Sequence, residues 1–256
     1  MLFRTRLILF ALAYWAGAEL SYLLLSKTGE VVAFWPPAGL CLAMLLATPR
    51  RRWWAVLLAA GVPNFLSDTV IHQHGLPASF GFLLVNLGAP LVGAALITRL
   101  CRPAFTFARL SHVLAWSALA SLVSTPLGAL FGAAVNRAFY GGALGRKILF
   151  WWIGDLLGVL LLTPVTYGVL NWRKWPRPAE ALEMTALLLS LSATTIWVFR
   201  QPNTFALPPA ALFFFLLWAA LRFGATAVAA ATSVLAFIAL WLIALGFGPY
   251  SLQLTM

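Results

Sequence analysis

Charged residues are scarce in this sequence, and acidic residues are the scarcest of them. Of its 256 residues, 9% are charged and only six are aspartate or glutamate, whereas 62% are hydrophobic. A chain with so few polar side chains cannot hide its apolar surface from water, so lipid must be its solvent. The composition therefore excludes a soluble domain and predicts an integral membrane protein.

Cysteine and catalytic motifs are also scarce or missing. Cys41 lies within an apolar run and Cys101 at the basic end of another, so neither has the setting of an extracellular disulfide. Serine-nucleophile, zinc-helix, Walker and dinucleotide motifs are absent. Asp68, His72 and His74 cluster, but their spacing is too loose for the fixed geometry of a metal site. We expect no catalytic residues, no cofactor and no metal.

Nine apolar runs fill the sequence almost from end to end. Most are about as long as a membrane-spanning helix, and none alternates apolar with polar residues as a transmembrane barrel strand would. The sequence therefore predicts an all-α, polytopic helical bundle of about nine transmembrane helices, within a range of eight to ten. The predicted spans are 6–26, 34–48, 53–71, 78–100, 110–134, 147–170, 180–199, 205–221 and 224–246.

The basic residues predict how these spans are oriented. The N-terminus and every second gap after it hold twelve of the 17 lysines and arginines, and the other gaps hold five. Cytoplasmic loops carry the excess of positive charge in membrane proteins, which predicts a cytoplasmic N-terminus. This distribution accounts for the net charge of +11 without a nucleic-acid partner.

Proline starts three spans that would enter from the outer side, at Pro36-Pro37, Pro77 and Pro208-Pro209. A helix tolerates proline in its first turn, where the missing N–H would be unpaired in any case. The second span is short, and a re-entrant hairpin is the alternative. We reject the hairpin because it would place Arg50, Arg51 and Arg52 outside.

Acidic residues in the outer halves of the spans are the leading site candidates. Glu19, Asp68 and Asp155 are of this kind, and an ionisable group in a span usually faces the bundle interior or a cavity. Asn64 lies one helical turn before Asp68, and Asn86 lies in the next span, which predicts a polar seam between the third and fourth spans. The alternative is that these residues only hold helices together through hydrogen bonds.

A second candidate face combines aromatic surface with a carboxylate. Trp151, Trp152 and Asp155 lie at helical spacing near the outer interface. Such a face suits a cationic or amphipathic ligand. Tryptophan also anchors helices at membrane interfaces, which is the alternative explanation.

Four motifs, in order along nearly the whole chain, resemble those of the membrane-associated sensor domain called the first MASE family. They are FWPPAG at 34–39, followed by the basic residues 50–52 and a Trp-Trp pair; WWIGDLLGVL at 151–160; WAALRFG at 218–224; and GFGP at 246–249. The resemblance implies a multi-pass input domain in a bacterial inner membrane. Members are joined to cytoplasmic histidine kinases, diguanylate cyclases or related outputs.

From the resemblance we expect residues 1–256 to form a single transmembrane sensory domain. Nine spans would leave the C-terminus outside, so we expect the last span and any output domain to be missing from this sequence, or the protein to be a free-standing relative of the family. The expected partners are the lipid bilayer, an unknown small ligand, a C-terminal or separate signalling output domain and, in a homodimer, a second copy.

The resulting hypothesis is a pocket in the outer half of the bundle that binds a small ligand and biases helix packing. A membrane transporter is the alternative, because intramembrane carboxylates also serve as proton or cation sites. A membrane enzyme is third, since His72, His74 and His112 are too scattered for a catalytic set. The predicted ligand-binding residues are Glu19, Trp35, Asn64, Asp68, Trp152 and Asp155.

Overall fold

The computed structural model describes residues 3–28, 34–172, 177–200 and 210–247. Helix is the regular secondary structure found in these ranges. The α-helices are α1 (Phe3–Thr28), α2 (Pro36–Leu46), α3 (Trp53–Leu66), α4 (Leu76–Leu100), α5 (Leu110–Leu119), α6 (Thr125–Tyr140), α7 (Leu144–Leu170), α8 (Pro178–Arg200), α9 (Ala211–Phe223) and α10 (Ala225–Ala244). A π-helical turn, Ser67–Ile71, continues α3, and another, Ala120–Ser124, joins α5 to α6.

Each predicted span corresponds to one of these helical stretches, and the predicted fold class is confirmed. In the described ranges, seven stretches are long and apolar enough to cross a bilayer, and α2 and α9 are shorter apolar helices. The fifth span continues to Tyr140 instead of ending near residue 134. The helix can continue past the polar residue Asn136 because this side chain lines a cavity in the protein. The helix ends just before Gly141, which adopts a φ of 69°.

Two of the predicted proline starts are confirmed. Pro36 is the first residue of α2, and Pro77 lies in the first turn of α4. Pro178 also starts α8, and the topology predicted from the charges has this helix begin on the inner side. Proline therefore marks the start of a helix and not a particular side of the membrane. Outside the described residues lie Pro208, Pro209, Arg173, Lys174 and the predicted turn at 248–249.

The chain divides into two compact units, residues 1–170 and residues 171–256. The first contains α1 to α7 and the second α8 to α10. That the whole chain acts as a single sensory domain stays a prediction.

The short helix α2 lies at the centre of the first unit. All its residues from Pro36 to Leu45 are buried, and eleven residues rise only about 16 Å, roughly half of a bilayer core. An alanine Cβ at Gly39 would lie 2.0 Å from the carbonyl oxygen of Gly158 in α7, so the two backbones touch. Because protein surrounds α2, it has no need to span the lipid by itself.

The first unit has a basic end. The Arg52 guanidinium lies 4.8 Å from the Phe3 ring centre, and Arg50 donates to the Thr98 hydroxyl. The Tyr167 hydroxyl donates to the Phe105 carbonyl at 2.6 Å. The starts of α1 and α3 and the ends of α4 and α7 therefore lie at one end, in the grouping that the charge count predicts.

The second unit packs its three helices around a small apolar core. Gly224, with a φ of 82°, makes the turn between α9 and α10. The Glu183 carboxylate of α8 accepts hydrogen bonds from Arg222 at 3.0 Å and from the Trp218 indole at 3.2 Å. The core consists of Leu187, Leu191, Leu212, Ala219, Ala227 and Ala231.

Candidate functional site

A cavity of about 520 Å³ lies in the first unit, away from its basic end. Its volume falls within the range of small-molecule sites, about 300–1,000 Å³. Side chains from α1, α4, α6 and α7 form aromatic walls around it, and its polar lining includes two aspartates. The aromatic lining residues are Tyr22, Trp35, Phe82, Tyr140, Phe150 and Trp151.

The two aspartates, Asp68 and Asp155, lie at the buried part of this cavity. Asp68 is 2% exposed and belongs to the π-helical turn after α3, and Asp155 is 5% exposed and belongs to α7. Carboxylates are costly within a membrane and usually face a protein interior or a cavity. The structure therefore brings together two of the predicted acidic residues from distant parts of the sequence.

Asp68 is held by two donors from two helices. The Tyr22 hydroxyl of α1 donates to one carboxylate oxygen at 2.8 Å, and the Asn64 amide donates to the other at 2.8 Å. Single π-helical turns are rare in proteins, but those that occur are often found at functional sites. Here the π-helical turn places Asp68 between α1 and the cavity.

Asn64 connects this carboxylate to the core. Its amide oxygen accepts hydrogen bonds from the Tyr14 hydroxyl and from the Asn86 amide, each at 2.9 Å. Asn64 is itself 2% exposed and does not line the cavity, whereas Asn86 does. The predicted polar seam between the third and fourth spans is thus confirmed, and Tyr14 extends it to α1.

Asp155 and Trp151 lie one turn apart on α7 and face two glycines one turn apart on α6. An alanine Cβ at Gly128 would lie 3.1 Å from an Asp155 carboxylate oxygen, and one at Gly132 would lie 2.4 Å from the Trp151 ring. The missing side chains make room for the carboxylate and the indole at the cavity wall. This Gly-x-x-x-Gly pair is a recognised signal for close packing of membrane helices, although it was not among the predicted site features.

Trp35 lines the cavity at the start of α2. Its backbone N–H donates to the Gly154 carbonyl of α7 at 3.0 Å. Its ring lies edge-on to Tyr22, with ring centres 6.1 Å apart. Because Pro36 and Pro37 have no N–H to satisfy, α2 can begin here inside the bundle.

The opening of the cavity is basic. Arg146 is exposed and Lys147 is half-buried, and both line the cavity near the start of α7. The Lys147 ammonium donates to the Asn136 side chain of α6. Tyr140, 50% exposed, completes this edge. The cavity therefore runs from buried carboxylates to cations near its opening.

His74 lies on the cavity wall in the loop between α3 and α4. Burial and the neighbouring His72 lower the pKa of the His74 ring, which keeps it neutral at neutral pH. Its Nδ1 atom is buried and has no hydrogen-bond partner in the described part of the chain. A ligand in the cavity could satisfy this nitrogen.

Besides Asn64, two other predicted site residues do not line the cavity. Glu19 accepts a hydrogen bond from the Ser67 hydroxyl at 2.6 Å and pairs with His72 at 3.0 Å, beside the Tyr22 side of the site. Trp152 donates its indole N–H to the Ser121 carbonyl at 3.2 Å. Trp152 lies about 100° around the helix from Trp151 and about 60° beyond Asp155, and its indole meets Ser121 and not the cavity.

Sequence reasoning placed Trp35, Asp68 and Asp155 in one site, and all three line the cavity. Most of the other lining residues were not predicted, because a single sequence does not distinguish them from residues that only pack or set topology. Aromatic residues are common throughout this chain, and Arg146 and Lys147 were assigned to topology alone. The missed polar and aromatic residues are Tyr22, His74, Phe82, Asn136, Tyr140, Arg146, Lys147 and Phe150.

Comparison with known proteins gives one match. The family model MASE1 matches residues 5–255, essentially the whole chain. No curated protein and no solved structure matches it.

Proposed function

This chain belongs to the MASE1 family of membrane sensor domains of signalling proteins, and from that premise we propose that its cavity is the sensory site. A small ligand enters between Trp35, Asp68 and Asp155 and changes how the helices pack. The observation that carries the proposal is the convergence of these three residues, from three helical segments, on a cavity of ligand size.

The path from the cavity to the opposite end of the unit supports this function. Trp35 lies at the cavity immediately before α2, and α2 leads to the basic segment Arg50–Arg52. The same Trp35 is hydrogen-bonded to α7, whose far end lies beside Phe105. A ligand that displaces Trp35 would therefore act on two helices that reach the basic end.

The proposed output is a histidine kinase or a diguanylate cyclase, either C-terminal to this domain or a separate partner. The proposed location is a bacterial inner membrane, with the N-terminus in the cytoplasm and the cavity open to the outer side. The positive-inside rule supports this orientation, because the end opposite to the cavity carries the larger number of arginines.

Cysteine labelling tests the orientation. We expect Ala143→Cys to react with a membrane-impermeant maleimide in intact cells, and Arg51→Cys to react only after permeabilisation. Both positions are exposed, whereas the native Cys41 and Cys101 are buried, so the unsubstituted protein serves as the background control. The reverse labelling pattern would place the cavity on the cytoplasmic side and refute the proposed orientation.

Substitution of Asp155 tests the sensory role. In membranes that contain the signalling protein, kinase or cyclase activity is measured as a function of the added amount of the dialysable fraction of spent growth medium. We expect Asp155→Asn to shift the half-maximal dose by about tenfold, because one charge-assisted hydrogen bond contributes roughly that factor. Glu180→Gln is the matched control, since it makes the same carboxylate-to-amide change on α8 of the second unit.

A transporter is separated from a sensor by flux. Proteoliposomes loaded with the same dialysable fraction should show no transport that depends on Asp155. Flux that is lost in Asp155→Asn, together with an unchanged output, would reject the sensory function in favour of transport.

A further inference from the structure

The cavity has opposite charges at its two ends, and its ligand should match them. Resting on the proposed function, we propose that the ligand is a small zwitterion with a flexible or extended body. Its ammonium group lies inward against Asp155, and its acidic group lies outward against Lys147 and Arg146. This names a ligand class for a site that the family assignment leaves without one.

The inner end is built for a cation. Asp68 already accepts hydrogen bonds from Tyr22 and Asn64. Asp155 has the Trp151 side chain as its hydrogen-bonding neighbour, which leaves further acceptor positions on a group with about four lone-pair sites. Trp35 and Trp151 also line the cavity, and ammonium groups are attracted to aromatic rings of this kind. An ammonium group here would find one carboxylate to pair with directly and a second nearby.

The outer end suits an acidic group. The Lys147 ammonium has three N–H donors and gives one of them to Asn136, so others remain for a ligand. Arg146, beside it, adds a second cation to the lining. The exposed position lets an acidic group keep part of its hydration.

The length of the ligand follows from the helix. Asp155 and Lys147 both belong to α7, and eight residues of α-helix rise about 12 Å. A chain of five methylenes between ammonium and carboxylate, with a hydrogen bond of about 2.9 Å at each end, has a length comparable to this backbone rise. An α-amino acid is too short to reach both ends.

Thermal stability of the purified chain in lipid nanodiscs tests the class with simple probes. The probes are ε-aminocaproate, the shorter γ-aminobutyrate, and the two single-charge counterparts hexylamine and hexanoate. We expect ε-aminocaproate to bind about tenfold more tightly than hexylamine, through the second charged contact. We expect γ-aminobutyrate to bind no better than hexylamine, and hexanoate to bind more weakly than either of these two.

Two variants assign the ends. Replacing both Arg146 and Lys147 by glutamine should reduce the affinity for ε-aminocaproate to that for hexylamine and leave hexylamine binding unchanged. Asp155→Asn should weaken the binding of both ε-aminocaproate and hexylamine. The proposal of a zwitterionic ligand would be overturned by any of three results: equal binding of ε-aminocaproate and hexylamine, tighter binding of hexanoate, or no stabilisation by any probe.

The output assay keeps this inference separate from the proposed function. If no probe binds but Asp155→Asn still shifts the response to spent medium, the ligand class is wrong and the sensory role stands. If ε-aminocaproate binds as expected but leaves kinase or cyclase output unchanged, the ligand class stands and the sensory role fails.

Discussion

Replacement of Gly39 by alanine should prevent the first unit from folding. The added Cβ would lie 2.0 Å from the Gly158 carbonyl oxygen and 2.8 Å from its carbonyl carbon. Both atoms are backbone atoms of α7 and cannot move aside as a flexible side chain would. Because overpacking a rigid core commonly costs about 1–3 kcal/mol or more, we expect a loss above about 3 kcal/mol in the free energy of unfolding.

Gly158→Ala should be equally damaging, since its Cβ would lie 2.0 Å from the Trp35 carbonyl oxygen. The measurement is the yield and the thermal unfolding of the protein in detergent or nanodiscs. Gly88→Ala is the control, because a Cβ at this position in α4 meets nothing within 4 Å. Helix propensity favours alanine there by up to about 1 kcal/mol.

Normal yield and an unchanged unfolding temperature for Gly39→Ala would contradict the contact between α2 and α7. That outcome would also remove support for the part of the proposed path that needs α2 to pack against α7.

Asn64→Leu should be the most damaging of the polar substitutions. It would leave the Tyr14 hydroxyl, the Asn86 amide and one Asp68 oxygen without the partners that Asn64 now provides. Hydrogen bonds inside membrane proteins contribute about 0.6 kcal/mol on average and up to about 1.7 kcal/mol each. Three such contacts predict a loss of about 2 kcal/mol in the free energy of unfolding.

Thr69→Val is the matched control for Asn64→Leu. It also replaces a polar group by an apolar one in the same span, but its hydroxyl donates to the Phe65 carbonyl one turn before, within the same helix. We expect little change there, because the bond is local to the helix. Equal unfolding temperatures for the two variants would show that the Asn64 contacts do not stabilise the bundle.

The two experiments depend on features with very different sequence signals. Asn64 and Asp68 were recognisable as a polar pair, because their spacing puts them on one face of any α-helix. Gly39 gave no such signal, since glycine is frequent in membrane helices, and its close contact is with a residue far away in the sequence. Tyr14 was equally hidden, because a tyrosine in an apolar run gives no sign of the partner its hydroxyl will find.

The site shows the same division in finer detail. Asp68 and Asp155 were identifiable individually, because a charge within an apolar run is costly and conspicuous. Trp151 and Trp152 could not be distinguished, since adjacent residues on a helix that is apolar on every side look alike until its neighbours are known. Gly132 decided that Trp151 is the one that faces the cavity, since its missing side chain leaves room in α6 for the Trp151 indole ring.

The sequence by itself determined the all-helical membrane class, the approximate bounds of the helices and the carboxylates that needed a special environment. These properties are local: each helix satisfies its own backbone, and each apolar run shows its preference for lipid in its own composition. Only the tertiary structure decided that α2 begins inside the bundle, and that Trp35, Asp68 and Asp155 line one cavity. Which faces of the helices meet depends on the shapes of distant surfaces, and above all on the glycines that let backbones and rings approach closely.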